Sequence, residues 1–471
     1  MARKRKRIVL EALEVTDAGA KGKAIGHAPD GRVVFIDNAI PGDVIDAQTY
    51  QKRKAFYKAK PIRFISYSDK RVAPEKQDLD YWGVAPWQNM KYEFQLYYKQ
   101  KEVENNLKRL GGIELPEINP IIGSEKKHFY RNKMEYTFSD KRWFTEEEIS
   151  SEKKFSDKEK NALGFHVPGM WDKVINIEMC YLQKDPSNAI RNEIRDFALQ
   201  HNLSFFNLKK QEGLLRTLMI RTSTTGDLMV LIQFFYEDKE KRELLLNFIA
   251  ERFPEITSLL YVINPKGNDT IYDLEIKTYK GKNYIYEEME NLRFKIDAKS
   301  FYQTNSEQAY ELYKVTRDFA NITSSDVVYD LYTGIGTIAQ FVAENAKKVV
   351  GIESVPEAIE AAKENAKENK ISNTDFFAGD MRKIFTDDFI TQHGKPNIVI
   401  TDPPRVGMHK DVVKQLLKIQ PHRIVYVSCN SATQARDLAL LDEKYKVTKV
   451  QPVDMFPQTY HIENIVCLEK R

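Results

Sequence analysis

A chain of 471 residues has room for two to four domains, and 42% hydrophobic with 30% charged residues is the composition of a soluble globular protein. No apolar run approaches the roughly 18 residues of a membrane span, Ile8-Val9-Leu10 is too short for a signal-peptide core, and three well-separated cysteines, Cys180, Cys429 and Cys467, exclude a disulfide framework and fit a reducing cytoplasm. The net charge of +4 is uneven: residues 1–66 hold 14 Lys and Arg against 7 Asp and Glu, the footprint of a nucleic-acid-binding module on a nearly neutral body. In chain order, residues 8–66 read as short strands with turns. Gly19, Gly22 and Gly26 punctuate the first part, Arg32 to Asp37 is a strand, and Ile40-Pro41-Gly42-Asp43 turns into Val44 to Ala47. About five such strands make a small closed barrel of the kind that binds oligonucleotides on one face. Lys52, Arg53 and Lys54 beside Phe56 and Tyr57 offer cations for phosphates and rings for base stacking.

Tyr92 to Leu110 has helical spacing of Phe94, Val103, Leu107 and Leu110, stopped by Gly111-Gly112. A mainly β region follows, with strands at Tyr130 to Phe138, Leu218 to Thr222, Leu228 to Phe235 and Ser258 to Asn264. Arg142 to Lys160 is so charged that a mobile loop is expected. From about residue 300, helices alternate with short apolar strands, the mark of a doubly wound α/β sheet. Val327 to Asp330 is its first strand and Lys348 to Glu353 its second; Pro356 to Lys370 is a helix, and Phe376 to Asp380 a third strand. Gly334-Ile335-Gly336 is a weak signal by itself. A dinucleotide fingerprint needs a third glycine where Ala339 stands, so a pyrophosphate ligand is the minority reading. The Glu353 carboxylate, at a strand end, suits ribose hydroxyls. Ile424 to Val427 is a buried strand ending at Ser428-Cys429-Asn430, which puts a cysteine on the rim where such sheets bind ligands. The plain alternative for Cys429 is a small buried apolar residue.

Three stretches decide between these readings. Asp402-Pro403-Pro404-Arg405, Ser428-Cys429-Asn430 and Asp454-Met455-Phe456-Pro457-Gln458-Thr459-Tyr460-His461-Ile462-Glu463, in this order, resemble the RNA 5-methyluridine (uracil-5) methyltransferase family. The resemblance extends over most of the chain. It implies an α/β fold with a Rossmann-like class I S-adenosylmethionine methyltransferase domain at 296–471, a mainly β central domain at 67–295, and an OB-like TRAM barrel at 1–66. The helix at 92–110 is expected to pack on the catalytic domain. The resemblance places Cys429 as nucleophile and Glu463 as base. Gln303, Tyr332, Thr337, Glu353, Asp380 and Asp402 fall on its cofactor-binding positions, with Asp380 near the adenine amino group. The implied partner is RNA, with 23S ribosomal RNA favoured. The T-loop uridine of transfer RNA, or a non-catalytic RNA-binding role, is the alternative. A cytoplasmic monomer with no membrane partner is expected.

The chain departs from its relatives between Arg71 and Gln88, where many of them carry three cysteines that, with a fourth downstream, hold an iron–sulfur cluster. No cysteine is present there, and Cys180 looks like the orphaned fourth position. One thiolate cannot hold a cluster that needs about four, so neither iron nor another metal is expected, and Tyr81, Trp82 and Trp87 are expected to fill the space.

The residue types suit the chemistry. Carbon 5 of uracil is too weak a nucleophile to attack a methyl sulfonium unaided. A thiolate adding to carbon 6 makes the ring an enolate, and a base must afterwards remove the proton from carbon 5. Amino-group methyltransferases place an aromatic residue after Asn/Asp-Pro-Pro, and RNA cytosine-5 enzymes a second cysteine after the proline; Arg405 stands here instead, which favours uracil. The Arg405 side chain is left with two roles, neutralising a phosphate or holding the loop.

Overall fold

The computed structural model describes residues 7–72, 85–151 and 153–471. Strands β1 (Val9–Ala18), β2 (Ala24–His27), β3 (Val33–Ile36), β4 (Val44–Lys52) and β5 (Phe56–Ser66) close into a barrel of order β1-β2-β3-β5-β4. Alternate residues point inward, so Leu13, Val15, Val34, Ile36, Ile45, Ala47 and Ala59 form its core. Register shifts along β4 and β5 bend the long pair enough to close the barrel. Tyr57 does not offer its ring to a ligand as the sequence suggests. It is buried, its hydroxyl donates to Asp30 (2.9 Å), and the Arg32 guanidinium covers its face at 4.1 Å.

Helix α1 (Tyr92–Asn106) leads into a final π turn at Leu107–Gly111, and Gly112 ends it in the left-handed conformation at φ +60°. Strands β6 (Lys133–Ser139), β7 (Ala162–Val167), β8 (Met170–Asn176), β9 (Leu215–Thr222), β10 (Leu228–Phe234), β11 (Ser258–Ile263) and β12 (Lys277–Gly281) form a sheet of order β12-β11-β10-β9-β6-β7-β8. The strand expected from Tyr130 begins only at Lys133. The amides of Phe129 and Arg131 bond the carbonyls of Tyr181 and Leu182, and that of Asn132 bonds Thr304, so this head is tied outside the ladder. The charged segment after Arg142 is also more ordered than expected. It contains the short helix α2 (Glu146–Ser150), opened by a capping box in which Thr145 and Glu148 satisfy each other's backbone amides. Helices α3 (Ser187–Gln200) and α4 (Lys239–Arg252) pack into the core of this sheet. The expected aromatic packing by Tyr81 and Trp82 falls outside the described residues, whereas Trp87 is buried with Ile40, Met90 and Tyr98.

After the hairpin β13 (Tyr284–Met289) and β14 (Leu292–Asp297) comes α5 (Ser306–Ala320) and then the second large sheet. It consists of β15 (Val327–Leu331), β16 (Lys348–Glu353), β17 (Thr374–Ala378), β18 (Ile398–Thr401), β19 (Arg423–Ser428), β20 (Tyr445–Val453) and β21 (Glu463–Lys470). The order is β17-β16-β15-β18-β19-β21-β20, parallel except for β21, which runs against both its neighbours. Its strands are apolar on both faces. Val328, Val349, Ile400 and Val425 enter one core, and Tyr329, Val350, Val399 and Ile424 enter the other. Helices α6 (Thr337–Ala343), α7 (Pro356–Glu368), α8 (Met381–Ile384), α9 (Asp387–His393), α10 (Lys410–Ile419) and α11 (Ser431–Leu441) connect the strands. The first core also takes in Met219, Met229, Leu231 and Leu260 of the β6–β12 sheet, so the two sheets share packing. Val103 and Leu107 at the end of α1 enter the second core, and Asn106 donates to Ser431 at the head of α11 (2.8 Å). Among the described residues, no helix is long and apolar enough to cross a membrane.

Candidate active site

Strand order reverses between β15 and β18, and their carboxyl ends open the crevice in which such sheets bind ligands. Tyr332 follows β15 with φ +67°, a strained conformation for a tyrosine, and its amide and that of Thr333 bond the Ile352 carbonyl. The two glycines of this turn do different jobs. A Cβ on Gly334 (φ +56°) would meet nothing within 4 Å, so the backbone lies open to a ligand. One on Gly336 would collide with Phe376, Ala362 and Gln340, so this glycine lets the helix pack. Thr337 is buried at the first turn of α6. Glu353 ends β16; its carboxylate accepts from the amides of Ser354 (2.6 Å), Val355 (3.1 Å) and Gly334 (3.3 Å), which fixes it facing the turn. Gln303 lies before α5, buried, with its carbonyl held by the Asn132 side chain (3.0 Å).

Asp380, just past β17, is already engaged. It caps α8 through the Arg382 amide (3.0 Å) and pairs with the Arg382 guanidinium, which holds its carboxyl down to about 2. A free carboxylate awaiting an adenine amino group is therefore not what the structure presents. Tyr332 and Asp380 nevertheless line one cavity of about 610 Å³, with Pro404, Met408, Arg436 and Leu440.

Cys429 and Glu463 are far apart in the chain and meet by strand pairing. Ser428 of β19 is opposite Asn464 of β21, and extending this antiparallel register by one residue sets Cys429 opposite Glu463. Asn430 caps α11 and also donates to the Arg405 carbonyl (2.9 Å), to which the Thr433 hydroxyl donates as well (3.1 Å). The backbone of Arg405 thus ties the Asp402–Gly407 loop to the cysteine turn. Its guanidinium acts on the acidic groups of the site through charge. Burial pushes the Cys429 thiol up to about 11, with Glu463 and Asp402 adding to the effect and Arg405 opposing it. Burial, then the Asp402 charge, pushes Glu463 well above the usual carboxylate range, again with Arg405 opposing. Asp402, raised to about 7, is shifted by burial and by Asp330, and Asp330 reaches about 7 by burial although the Thr333 hydroxyl donates to it.

One neighbour escapes sequence reading. Tyr313 of α5 is buried, and burial raises its hydroxyl far above the usual value, with Asp402, Asp330 and Glu463 near enough to add to the effect; an amphipathic helix pattern marks it as core and nothing more. The Arg131 guanidinium lies 5.9 Å from the Phe456 ring, whereas Lys133 is spent on Glu135 (2.9 Å). His461 is kept neutral, its pKa drawn down to about 4 by burial and then by Arg405, Lys99 and Arg131.

A seven-stranded sheet of this order, with a glycine turn and an acidic strand end at the carboxyl rim, defines a class I methyltransferase fold. Residues 273–471 match the family model for tRNA (Uracil-5-)-methyltransferase. An uncharacterized RNA methyltransferase of Bacteroides thetaiotaomicron is 56% identical over 455 residues, covering 96% of this chain and 100% of the relative. One of Chlorobaculum tepidum is 38% identical over 473 residues, covering 99% and 98%. Among solved structures, the Pyrococcus abyssi tRNA (uracil-54, C5)-methyltransferase in complex with S-adenosyl-L-homocysteine matches with a TM-score of 0.75 at 26% identity, covering 97% of this chain and 100% of that one. The chain belongs to the RNA (uracil-5) methyltransferase family.

Proposed function

We propose that the protein methylates carbon 5 of a uridine in RNA, with S-adenosylmethionine as methyl donor, through a covalent adduct of Cys429 that Glu463 resolves. The observation that carries this reading is the β19–β21 register, which sets a thiol opposite a buried carboxyl at the carboxyl rim of the sheet. Cys429 first gives up its proton to solvent; the thiolate adds to carbon 6 of the uracil, and the electron pair of the carbon 5–carbon 6 double bond moves to the carbon 5 side as an enolate. The bound cofactor supplies the methyl group as an electrophile. Glu463 acts in its carboxylate form, which Arg405 favours against burial: it then takes the proton from carbon 5, the thiolate leaves carbon 6, and the aromatic ring is restored. A stacked base cannot reach both residues, so the target uridine is flipped out of its helix.

The residues present fit this cofactor. Gln303, Tyr332, Thr337, Glu353, Asp380 and Asp402 are the residues we assign to hold it, Asp380 only after Arg382 releases it. Asp330 and Asp402 are carboxyls that burial raises to about 7, and a cationic cofactor held at this crevice would supply positive charge that favours their ionised form. The sign follows: a carboxyl must lose its proton to attract a cation. Affinity for S-adenosylmethionine is therefore expected to rise with pH through about 7 and then level off, with protons released on binding below it. Calorimetry in two buffers of different ionisation heat measures that release. A pH-independent affinity would contradict this role for the pair.

The target RNA has two readings. The sequence resemblance points to 23S ribosomal RNA. Transfer RNA is favoured by a specific observation: the Pyrococcus transfer-RNA enzyme superposes over 97% of this chain, so the barrel by itself does not argue for ribosomal RNA. Incubating a mixture of unmodified ribosomal and transfer RNA with tritiated cofactor, followed by base analysis, is expected to give labelled 5-methyluridine in one of them. Label in another base, or none, would end the reading.

We assign RNA capture to the barrel, whose exposed Lys52, Arg53 and Lys54 lie at the β4–β5 turn. Changing all three to Gln is expected to weaken RNA binding and to flatten its salt dependence, by about 0.7 to 0.9 logarithmic units for each phosphate left unpaired. Binding titrations at several salt concentrations check this, and an unaltered slope would place the phosphate-binding cations elsewhere.

A further inference from the structure

The arch of residues 454–461, between β20 and β21, is held from outside the sheet that carries it. Its feet are register partners, Val453 and Glu463, and it bears Phe456 and His461. Lys99 of α1 places Nζ 2.6 Å from Asp454 Oδ1, with both side chains 0% exposed. Lys99 Nζ also donates to the Phe456 carbonyl (3.1 Å), and the Tyr92 hydroxyl donates to Asp454 Oδ2 (2.8 Å). Gln95 completes the same face of α1. Its Nε2 donates to Gln458 Oε1 (2.8 Å), and its Oε1 accepts from the Gln458 amide (2.9 Å). From the other side, Asn305 and Gln308 at the head of α5 donate to the carbonyls of Met455 (3.0 Å) and Asp454 (2.8 Å). The segment just after Gln303 and the arch leading to Glu463 are thus joined in one hydrogen-bonded web, with a buried ion pair at its centre.

Such a pair is a poor source of stability, because desolvating two charges consumes most of their attraction and apolar side chains of similar size do as well. What it supplies is geometry, since two charges and their hydrogen bonds admit few arrangements. We propose that Lys99 and Asp454 are positioning residues for uracil methylation: the buried pair locks the 454–461 arch beside Cys429 and Glu463, which makes α1 a working part of a site it does not line. The inference rests on the reading of Cys429 and Glu463 given above.

Four proteins test it: wild type, Lys99→Met, Lys99→Met with Asp454→Leu, and Tyr92→Phe. Lys99→Met leaves a buried carboxylate uncompensated and lowers the melting temperature. The double variant removes both charges and regains most of the lost melting temperature, short of the wild type because the Tyr92 hydroxyl and the Phe456 amide lose their acceptor. Its turnover stays about a hundredfold below wild type, with cofactor affinity unchanged within about twofold, because a misplacement of about 1 Å costs that much in rate but leaves binding elsewhere intact. Recovery of wild-type turnover together with stability would show a pair that only holds the fold and would overturn the proposal. Should the double variant fail to fold, Tyr92→Phe decides: it keeps the ion pair and loses the hydrogen bond to Asp454, together with the acceptor of the Ser124 amide, so kcat falls while cofactor affinity holds, and a wild-type kcat overturns the proposal. Wild-type protein that makes no 5-methyluridine in the same assay fails the functional reading itself, a result distinct from both.

Discussion

Cys429→Ala protein is expected to bind cofactor and RNA normally, to transfer no methyl group, and to form no protein–RNA adduct. Removing a nucleophile typically costs on the order of a million-fold in turnover. The reason is chemical: without addition at carbon 6 there is no enolate, and carbon 5 has no electrons to offer. Unfolding is not the cause to expect, because Cys429 is half-buried just past the end of β19 and losing its sulfur there costs about 1 kcal/mol or less. In the resting site the thiol sits at about 11, held up by burial and by the carboxyls, with Arg405 the charge that opposes them. A cationic cofactor adds to the Arg405 side of that balance and favours the thiolate. The check is tritium incorporation together with a denaturing gel of labelled RNA. A retained adduct would identify some other nucleophile.

Glu463→Gln is expected to fail later, and visibly. Addition and methyl transfer need no base at carbon 5, so they proceed. The proton on carbon 5 then has no acceptor, and the thiolate cannot leave. The variant accumulates a methylated RNA joined to Cys429 that survives denaturation, while turnover falls by about a hundred- to ten-thousandfold, the usual worth of a general base. The fold should tolerate the change well, since Glu463 is buried where the neutral form is favoured and glutamine has the same shape. The sign of the pH effect follows. A carboxyl whose folded pKa is raised costs the protein stability as pH climbs from its ordinary value of 4.5 towards the folded one, and glutamine does not. The melting temperature of Glu463→Gln should therefore gain on the wild type as pH rises. Free 5-methyluridine RNA released at the wild-type rate would mean that another group takes the proton.

The succession of elements along the chain is set by local signals. Apolar runs of four to six residues ended by turn formers mark β15, β16, β18 and β19, because a parallel strand buried on both faces has no polar positions. Glu353 and Cys429, at or just past such strand ends, are thereby placed on the rim by sequence alone, and Tyr332 and Asp402 join them through the resemblance. Even α2, hidden within a charged run, carries a local signal in the capping box of Thr145 and Glu148. Other outcomes depend on which partner a side chain finds. Asp380 turns to Arg382, and Tyr57 turns inward beneath Arg32, choices that spacing does not encode.

What the sequence by itself determined is the barrel, helix α1, the alternation of strands and helices after residue 300, the thiol and the carboxyl, and the family. Only the tertiary structure decided that β21 inserts antiparallel beside β19, which brings Glu463 opposite Cys429. The same holds for Lys99 and Asp454, 355 positions apart, and for the burial of Tyr313, whose hydroxyl feels the charges of three carboxyls. The physical reason is that periodicity and turn chemistry act over a few residues, whereas burial of a charge is settled by whatever packing brings against it from the rest of the chain.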